Sequence, residues 1–408
     1  MATTTPSLDF ATPAQAARAA PSATTRDPRL DFFRGIAMYI ILVAHIPGNV
    51  WTNWIPARFG YSDATEIFVF CSGMASAIAF GGSYARGGWW LGTARVLYRC
   101  WQVYWAHIGL FFFVAMYLAA LDLSGAFDKT YINTLNLTPF FNDPVTNIVG
   151  LFTLTYVPNY FDILPMYLVI LAMMPVVMAL AGVSLWLTGA ASVTLWLAAN
   201  MGALPLPAEP WSDREWFFNP FGWQLLFFTG FAFMRGWLRP PPVSRVLLWL
   251  AVGFVVFSAP FGSWKVFSWL NAAWPDLAAA IRPVWGMTEG LRNKTEFGVL
   301  RYMHFLSLAY VAWVAVGPGG SRLIATGSGV LAEVWRVVLR WITKVGQQSL
   351  AVFVVSMALA RLIGVVFDEV GRNLWTVSAG NLIGFAILTV VAYTVAWFKA
   401  TPWRRKSA

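Results

Sequence analysis

Apolar and polar positions along this chain alternate on the scale of whole helices rather than of neighbouring residues. Ten apolar stretches, at about 30–47, 64–81, 99–121, 162–180, 183–203, 220–238, 244–261, 299–316, 347–367 and 377–399, have roughly the length that a helix needs to cross about 30 Å of hydrocarbon. The pattern predicts an all-α fold, a polytopic membrane helix bundle of about ten transmembrane helices. Residues 144–156 are apolar but too short to span, and predict a re-entrant or interfacial helix. The connections at 122–158, 204–219 and 262–298 are long and aromatic, whereas the turn near Gly182 is minimal. Three segments follow: a disordered tail over 1–28, rich in Ala, Thr and Pro, a transmembrane domain over 29–399, and a short basic tail over 400–408.

Composition supports lipid as the main solvent of the chain. Of 408 residues, 58% are hydrophobic and 11% charged, against a usual charged share of about a quarter. That excludes a nucleic-acid enzyme, a cytosolic dehydrogenase and a secreted disulfide scaffold. Cys71 and Cys100 lie inside apolar runs, where a thiol is a packing group, and neither reads as catalytic or metal-binding. The N-terminal tail has no apolar run of signal-peptide length, and Asp9 and Asp27 count against a mitochondrial transit peptide.

The net charge of +10 is informative through its distribution. With the N-terminus inside, 18 of the 28 Lys and Arg residues fall on inner segments, up to Arg34, from Arg86 to Arg99, from Arg235 to Arg245, from Arg322 to Lys344 and from Lys399 to Lys406. The positive-inside bias therefore predicts an N-in, C-in topology. Arg301 and Arg361 mark outer helix ends. In a bacterium this is a multi-pass protein of the inner, cytoplasmic membrane, and its long loops face the periplasm.

Ionisable groups inside spans cost about 2.5 to 3.5 kcal/mol each on insertion scales, so each is a candidate functional group or buried pair. On the first span Arg34 lies near the inner end and His45 near the outer end, about 16 Å apart at 1.5 Å per residue. Asp63 and Glu66 share one face at the outer end of the second span. Antiparallel packing places them beside His45, where a carboxylate can hold the imidazole tautomer for a general base acting on a hydroxyl. Lys294, Arg301 and His304 open the eighth span and Asp162 the fourth, again at the outer side. Arg301 and His304, at i and i+3, can hold an anionic group. The competing readings are a structural carboxylate–histidine pair and an arginine that snorkels to headgroups. His107, among aromatic and small neighbours, reads as packing. Walker, His-Glu-x-x-His and Gly-x-Ser-x-Gly motifs are absent, no metal site is expected, and the sequons at Asn136 and Asn293 carry no weight.

Arg34, ten intervening residues and His45, within Asp31-Phe32-Phe33-Arg34-Gly35 and His45-Ile46-Pro47-Gly48-Asn49, resemble the signature of the integral membrane acyltransferase family 3. Ser62-Asp63-Ala64-Thr65-Glu66-Ile67-Phe68-Val69-Phe70 and Phe161-Asp162-Ile163-Leu164-Pro165-Met166-Tyr167 look like its glucan succinyltransferase branch, called OpgC. Leu300-Arg301-Tyr302-Met303-His304-Phe305 and Gly346-Gln347-Gln348-Ser349-Leu350 extend the match, which covers about 27–398. The resemblance implies transfer of a succinyl group from cytoplasmic succinyl-CoA to hydroxyls of periplasmic, osmoregulated glucans. Acyl-CoA is then the donor substrate, no cofactor is bound permanently, and the partners are the glucan and membrane lipids, with no nucleic acid.

The implied roles are His45 as general base, Asp63 or Glu66 as its partner, and Arg34 as the inner-mouth ligand of the coenzyme. Asp162, Lys294, Arg301 and His304 are assigned to substrate, the last two to the succinyl carboxylate or the oxyanion. Two alternatives stand beside this reading. One is a related acyltransferase acting on another envelope polysaccharide or lipid-linked sugar. The other is an anion or sugar transporter, which would need discontinuous helices near the midplane and repeated halves that the sequence lacks.

Overall fold

The computed structural model describes residues 27–404, so most of the expected N-terminal tail and the last four residues of the basic tail lie outside the described residues. The described chain is helical, with a single antiparallel bridge between Pro207 and Glu215 and no sheet. Six of its helices are long and apolar enough to cross a membrane: Ala64–Ser124, Ile163–Val183, Arg245–Gly262, Val299–Val316, Ser349–Val370 and the C-terminal helix from Leu374.

In chain order, α1 (Pro28–His45) starts where Asp27 accepts a hydrogen bond from the Arg29 amide, with Pro28 in the first turn. It ends before Pro47. Next comes α2 (Ala64–Ser124), 61 residues long and broken once, at Gly88, where φ is 69°. A straight helix of that length would run about 90 Å. Instead Arg95 donates to Ser83 at 2.6 Å, and the Tyr84 ring occupies the space a side chain on Gly92 would need. The two arms therefore fold back on one another at a residue whose missing Cβ permits the left-handed conformation. The sequence pattern separates these arms by a loop over 82–98; the structure keeps that stretch helical on both sides of Gly88.

The long connection that follows holds α3 (Thr138–Asn142) and α4 (Pro144–Thr153), the latter the expected short apolar helix. Then come α5 (Ile163–Val183), α6 (Leu185–Asn200), α7 (Pro220–Arg235) and α8 (Arg245–Gly262). The expected loop 262–298 contains α9 (Trp264–Ala273) and α10 (Pro275–Met287). After α11 (Val299–Val316), the basic segment forms α12 (Val330–Gln347), followed by α13 (Ser349–Val370) and α14 (Leu374–Lys399). Arg336, Arg340 and Lys344 share α12 with exposed Val330, Leu331, Val334 and Trp341, the composition of a helix lying in a membrane interface.

Glycines set the closest helix contacts. A Cβ on Gly73 of α2 would sit 1.9 Å from the Phe227 carbonyl oxygen of α7, and one on Gly230 of α7 would sit 2.3 Å from that of Phe70 in α2. Gly35 of α1 and Gly346 of α12 are similarly reciprocal, against Ile342 and Asp31. In lipid, helices gain little from hydrophobic burial against each other, so close backbone approach through small residues supplies the packing. The core around these crossings joins α1, α2, α5, α7 and α13.

Candidate functional site

His45 is the last residue of α1, and the extended Ile46 and Pro47 end the helix just beyond it. Its Nδ1 lies 2.7 Å from the Ile41 carbonyl oxygen. A carbonyl can only accept, so Nδ1 carries the proton and Nε2 the lone pair. Nε2 makes no hydrogen bond with the described residues. This corrects the expected arrangement: the tautomer is set by a backbone carbonyl one turn back, and neither Asp63 nor Glu66 bonds the imidazole. Asp63 and Lys294 remain close enough to act on it through space.

The edge of His45 meets Tyr160, with ring centroids 5.3 Å apart and planes at 77°. Tyr160 stands at φ 88°, uncommon for a bulky residue. Its amide donates to the Asp162 carboxylate at 3.1 Å, its hydroxyl donates to the Met357 carbonyl, and Arg361 covers its ring with the guanidinium carbon 4.1 Å from the centroid. Asp162 thus holds the turn that presents Tyr160 to His45. Its carboxyl, just ahead of α5, is pushed up to about 6 by burial, against the opposing pull of Arg214.

Asp63 and Glu66 begin α2 as a capping box. Asp63 accepts from the Thr65 amide and Glu66 accepts from the Asp63 amide, each at 2.7 Å. Each carboxylate also has a cation from the approach to α11 or from α11 itself: Lys294 Nζ lies 2.5 Å from Asp63, and Arg301 Nη1 lies 2.5 Å from the fully buried Glu66. Burial alone would push the Asp63 carboxyl up, but Lys294 and Arg301 outweigh it and hold it well below the usual carboxylate range. His304, one turn beyond Arg301, bonds Ser62 through Nδ1, and Gly60 leaves room for its Nε2. Arg301 and His304 therefore share a face, as their spacing predicts. That face is spent on holding the N-terminal turn of α2.

At the opposite end of α1, Arg34 donates to the Ser349 hydroxyl, and Gln347 donates to the Asp31 carboxylate at 3.2 Å. The α12–α13 junction is thereby anchored to α1. His107 is buried, and neither of its ring nitrogens has a hydrogen-bond partner among the described residues.

A cavity of about 500 Å³ lies at the His45 end of α1, lined by His45, Asn49, Thr52, Arg58 and Arg361 among others. Asn49 is fixed beneath it by a reciprocal amide pair with Asn381, at 2.8 and 3.1 Å. Sequence reasoning missed Tyr160 and Arg361 as site residues. The rule that flagged Arg301, a charge inside an apolar span, applies equally to Arg361.

The arrangement defines a helical, multi-pass membrane protein in which one helix carries an arginine near one end and a tautomerically fixed histidine, at the mouth of a polar cavity, at the other. A family model described as OpgC protein matches residues 26–400, and the chain belongs to the OpgC family. Membership suggests a glucan-modifying acyltransferase. No curated protein and no solved structure matches the chain.

Proposed function

We propose that this protein is an inner-membrane O-succinyltransferase, of the acyltransferase family 3 type, that moves a succinyl group from cytoplasmic succinyl-CoA to a hydroxyl of a periplasmic glucan. The reading places ten crossings in the bilayer: α1, the two arms of α2, α5, α6, α7, α8, α11, α13 and α14, with both termini inside. Family membership supports the reaction class. The single structural observation behind the mechanism is the state of His45, whose Nδ1–H is committed to Ile41 while Nε2 keeps an unengaged lone pair at a polar cavity.

In this mechanism Arg34 holds the anionic portion of the coenzyme at the inner mouth, where a guanidinium fork suits phosphate oxygens. The thioester then extends along α1 toward His45, about 16 Å away. A glucan hydroxyl entering from outside attacks the thioester carbonyl while Nε2 takes its proton. The new C–O bond forms, the C–S bond breaks, and the imidazolium returns the proton to the departing thiolate. Asp162 acts at one remove by holding Tyr160 against the imidazole. Asp63, Glu66, Lys294, Arg301 and His304 form the frame that fixes the start of α2 beside it.

The test is mass spectrometry of periplasmic glucans from a deletion strain carrying either the wild-type chain or His45→Ala. Wild type should restore succinylated glucan, and His45→Ala, at equal membrane abundance, should transfer about 10² to 10⁴ times more slowly. Unchanged glucans in the deletion strain would exclude this acceptor, and full activity of His45→Ala would remove the base.

A further inference from the structure

The cations at the outer end differ in whether a carboxylate neutralises them. Lys294 is paired with Asp63 and Arg301 with Glu66. Detaching Arg301 to bind substrate would leave Glu66 as an uncompensated charge in a fully buried position, a costly state. Arg58 and Arg361 are different. Both line the cavity that His45 lines, and neither has a carboxylate within ion-pair distance among the described residues.

Arg361 is the better placed of the two. It lies on α13 within the apolar bundle, its Nε is buried with no hydrogen-bond acceptor among the described residues, and its guanidinium is held against the Tyr160 ring, which also packs against His45. An arginine held by a cation–π contact keeps its donor edge available for a planar oxyanion. Arg58 is exposed at the rim, on the short helical turn Pro56–Arg58, and its carbonyl is anchored by the Ser263 hydroxyl.

We propose that Arg361, assisted by Arg58 at the rim, is the specificity-determining residue that binds the free carboxylate of a dicarboxylic acyl group delivered to His45. This rests on the acyltransferase reading above. If Arg34 holds the coenzyme, the acyl end is the part of the donor that reaches the cavity. A monocarboxylic acyl group such as acetyl would bring no charge to meet Arg361.

Two measurements test the assignment. In purified protein, the ratio of kcat/KM for succinyl-CoA to that for acetyl-CoA should fall about 10- to 100-fold in Arg361→Gln, the loss expected for one charged hydrogen bond. It should recover in part in Arg361→Lys. An unchanged ratio overturns the proposal, whether because the anion read here belongs to the acceptor or because Arg361 is structural. The second measurement needs no turnover. Phenylglyoxal modification of Arg361 in the wild-type protein, followed by peptide mass spectrometry, should slow in the presence of monomethyl succinate but not methyl butyrate. Absence of that protection also overturns the proposal. Protection in a protein that transfers no acyl group would instead overturn the functional reading and leave the carboxylate site standing.

Discussion

Glu66 and Arg301 illustrate how far a residue's chemistry can be read before its partners are known. Their placement in apolar spans marks both as costly groups, and that much is legible in the sequence. Which group repays the cost is not, because the partner lies on a helix more than two hundred residues away in the chain. The same applies to His45: its i−4 carbonyl is always within reach in a helix, yet only the structure shows the imidazole turned back onto Ile41 rather than toward a carboxylate. The pairing carries a prediction that separates frame from catalyst. Glu66→Gln or Arg301→Gln leaves one buried charge unpaired and should lower unfolding stability by about 3–5 kcal/mol. The double variant Glu66→Gln/Arg301→Gln should lose less than the sum of the two. Additive losses in denaturant or thermal unfolding would show that the pair is not coupled.

At the scale of elements, long apolar runs gave the helices their positions because lipid enforces a minimum length and internal hydrogen bonding. Breaks and crossings were less legible, since they depend on where a Cβ would collide. Gly88 and Gly346 have no sequence context that distinguishes them from the other glycines. Gly346 has functional weight through its neighbours: it lets α12 rest on the backbone of α1 at Asp31, one residue before Gln347, which bonds Asp31, and three before Ser349, which bonds Arg34. A Cβ there would lie 1.9 Å from the Asp31 carbonyl oxygen, so the helices must part. Gly346→Ala is therefore expected to weaken coenzyme A binding, read by isothermal titration calorimetry, and to lower thermal stability, with the composition of the outer cavity unchanged. Gly182→Ala, at a glycine with open space around it, is the control and should do neither.

Across the whole molecule the question is which side each connection faces. Among the described residues six helices meet the length and hydropathy of a span on their own, because α6 and α7 have 16 residues each and α1 carries Arg29, Asp31 and Arg34. Yet Gly88 returns α2 on itself, α1 and α7 lie in the central core beside it, and α6 packs on α7. In the proposed ten-crossing topology every basic inner segment, including α12, falls on the side that the positive-inside bias assigns to the cytoplasm. The arrangement is checked by introducing one cysteine at a time and labelling with a membrane-impermeant maleimide in cells whose outer membrane has been made permeable. Ala203→Cys, after α6, and Ala273→Cys, at the end of α9, should label directly. Pro241→Cys, between α7 and α8, and Ser328→Cys, ahead of α12, should label only after the inner membrane is opened. Native Cys71 is buried and Cys100 is partly covered, which keeps the background low. Labelling of residue 328 from outside would invert or renumber the crossings and separate His45 from the periplasmic face where the proposed glucan arrives.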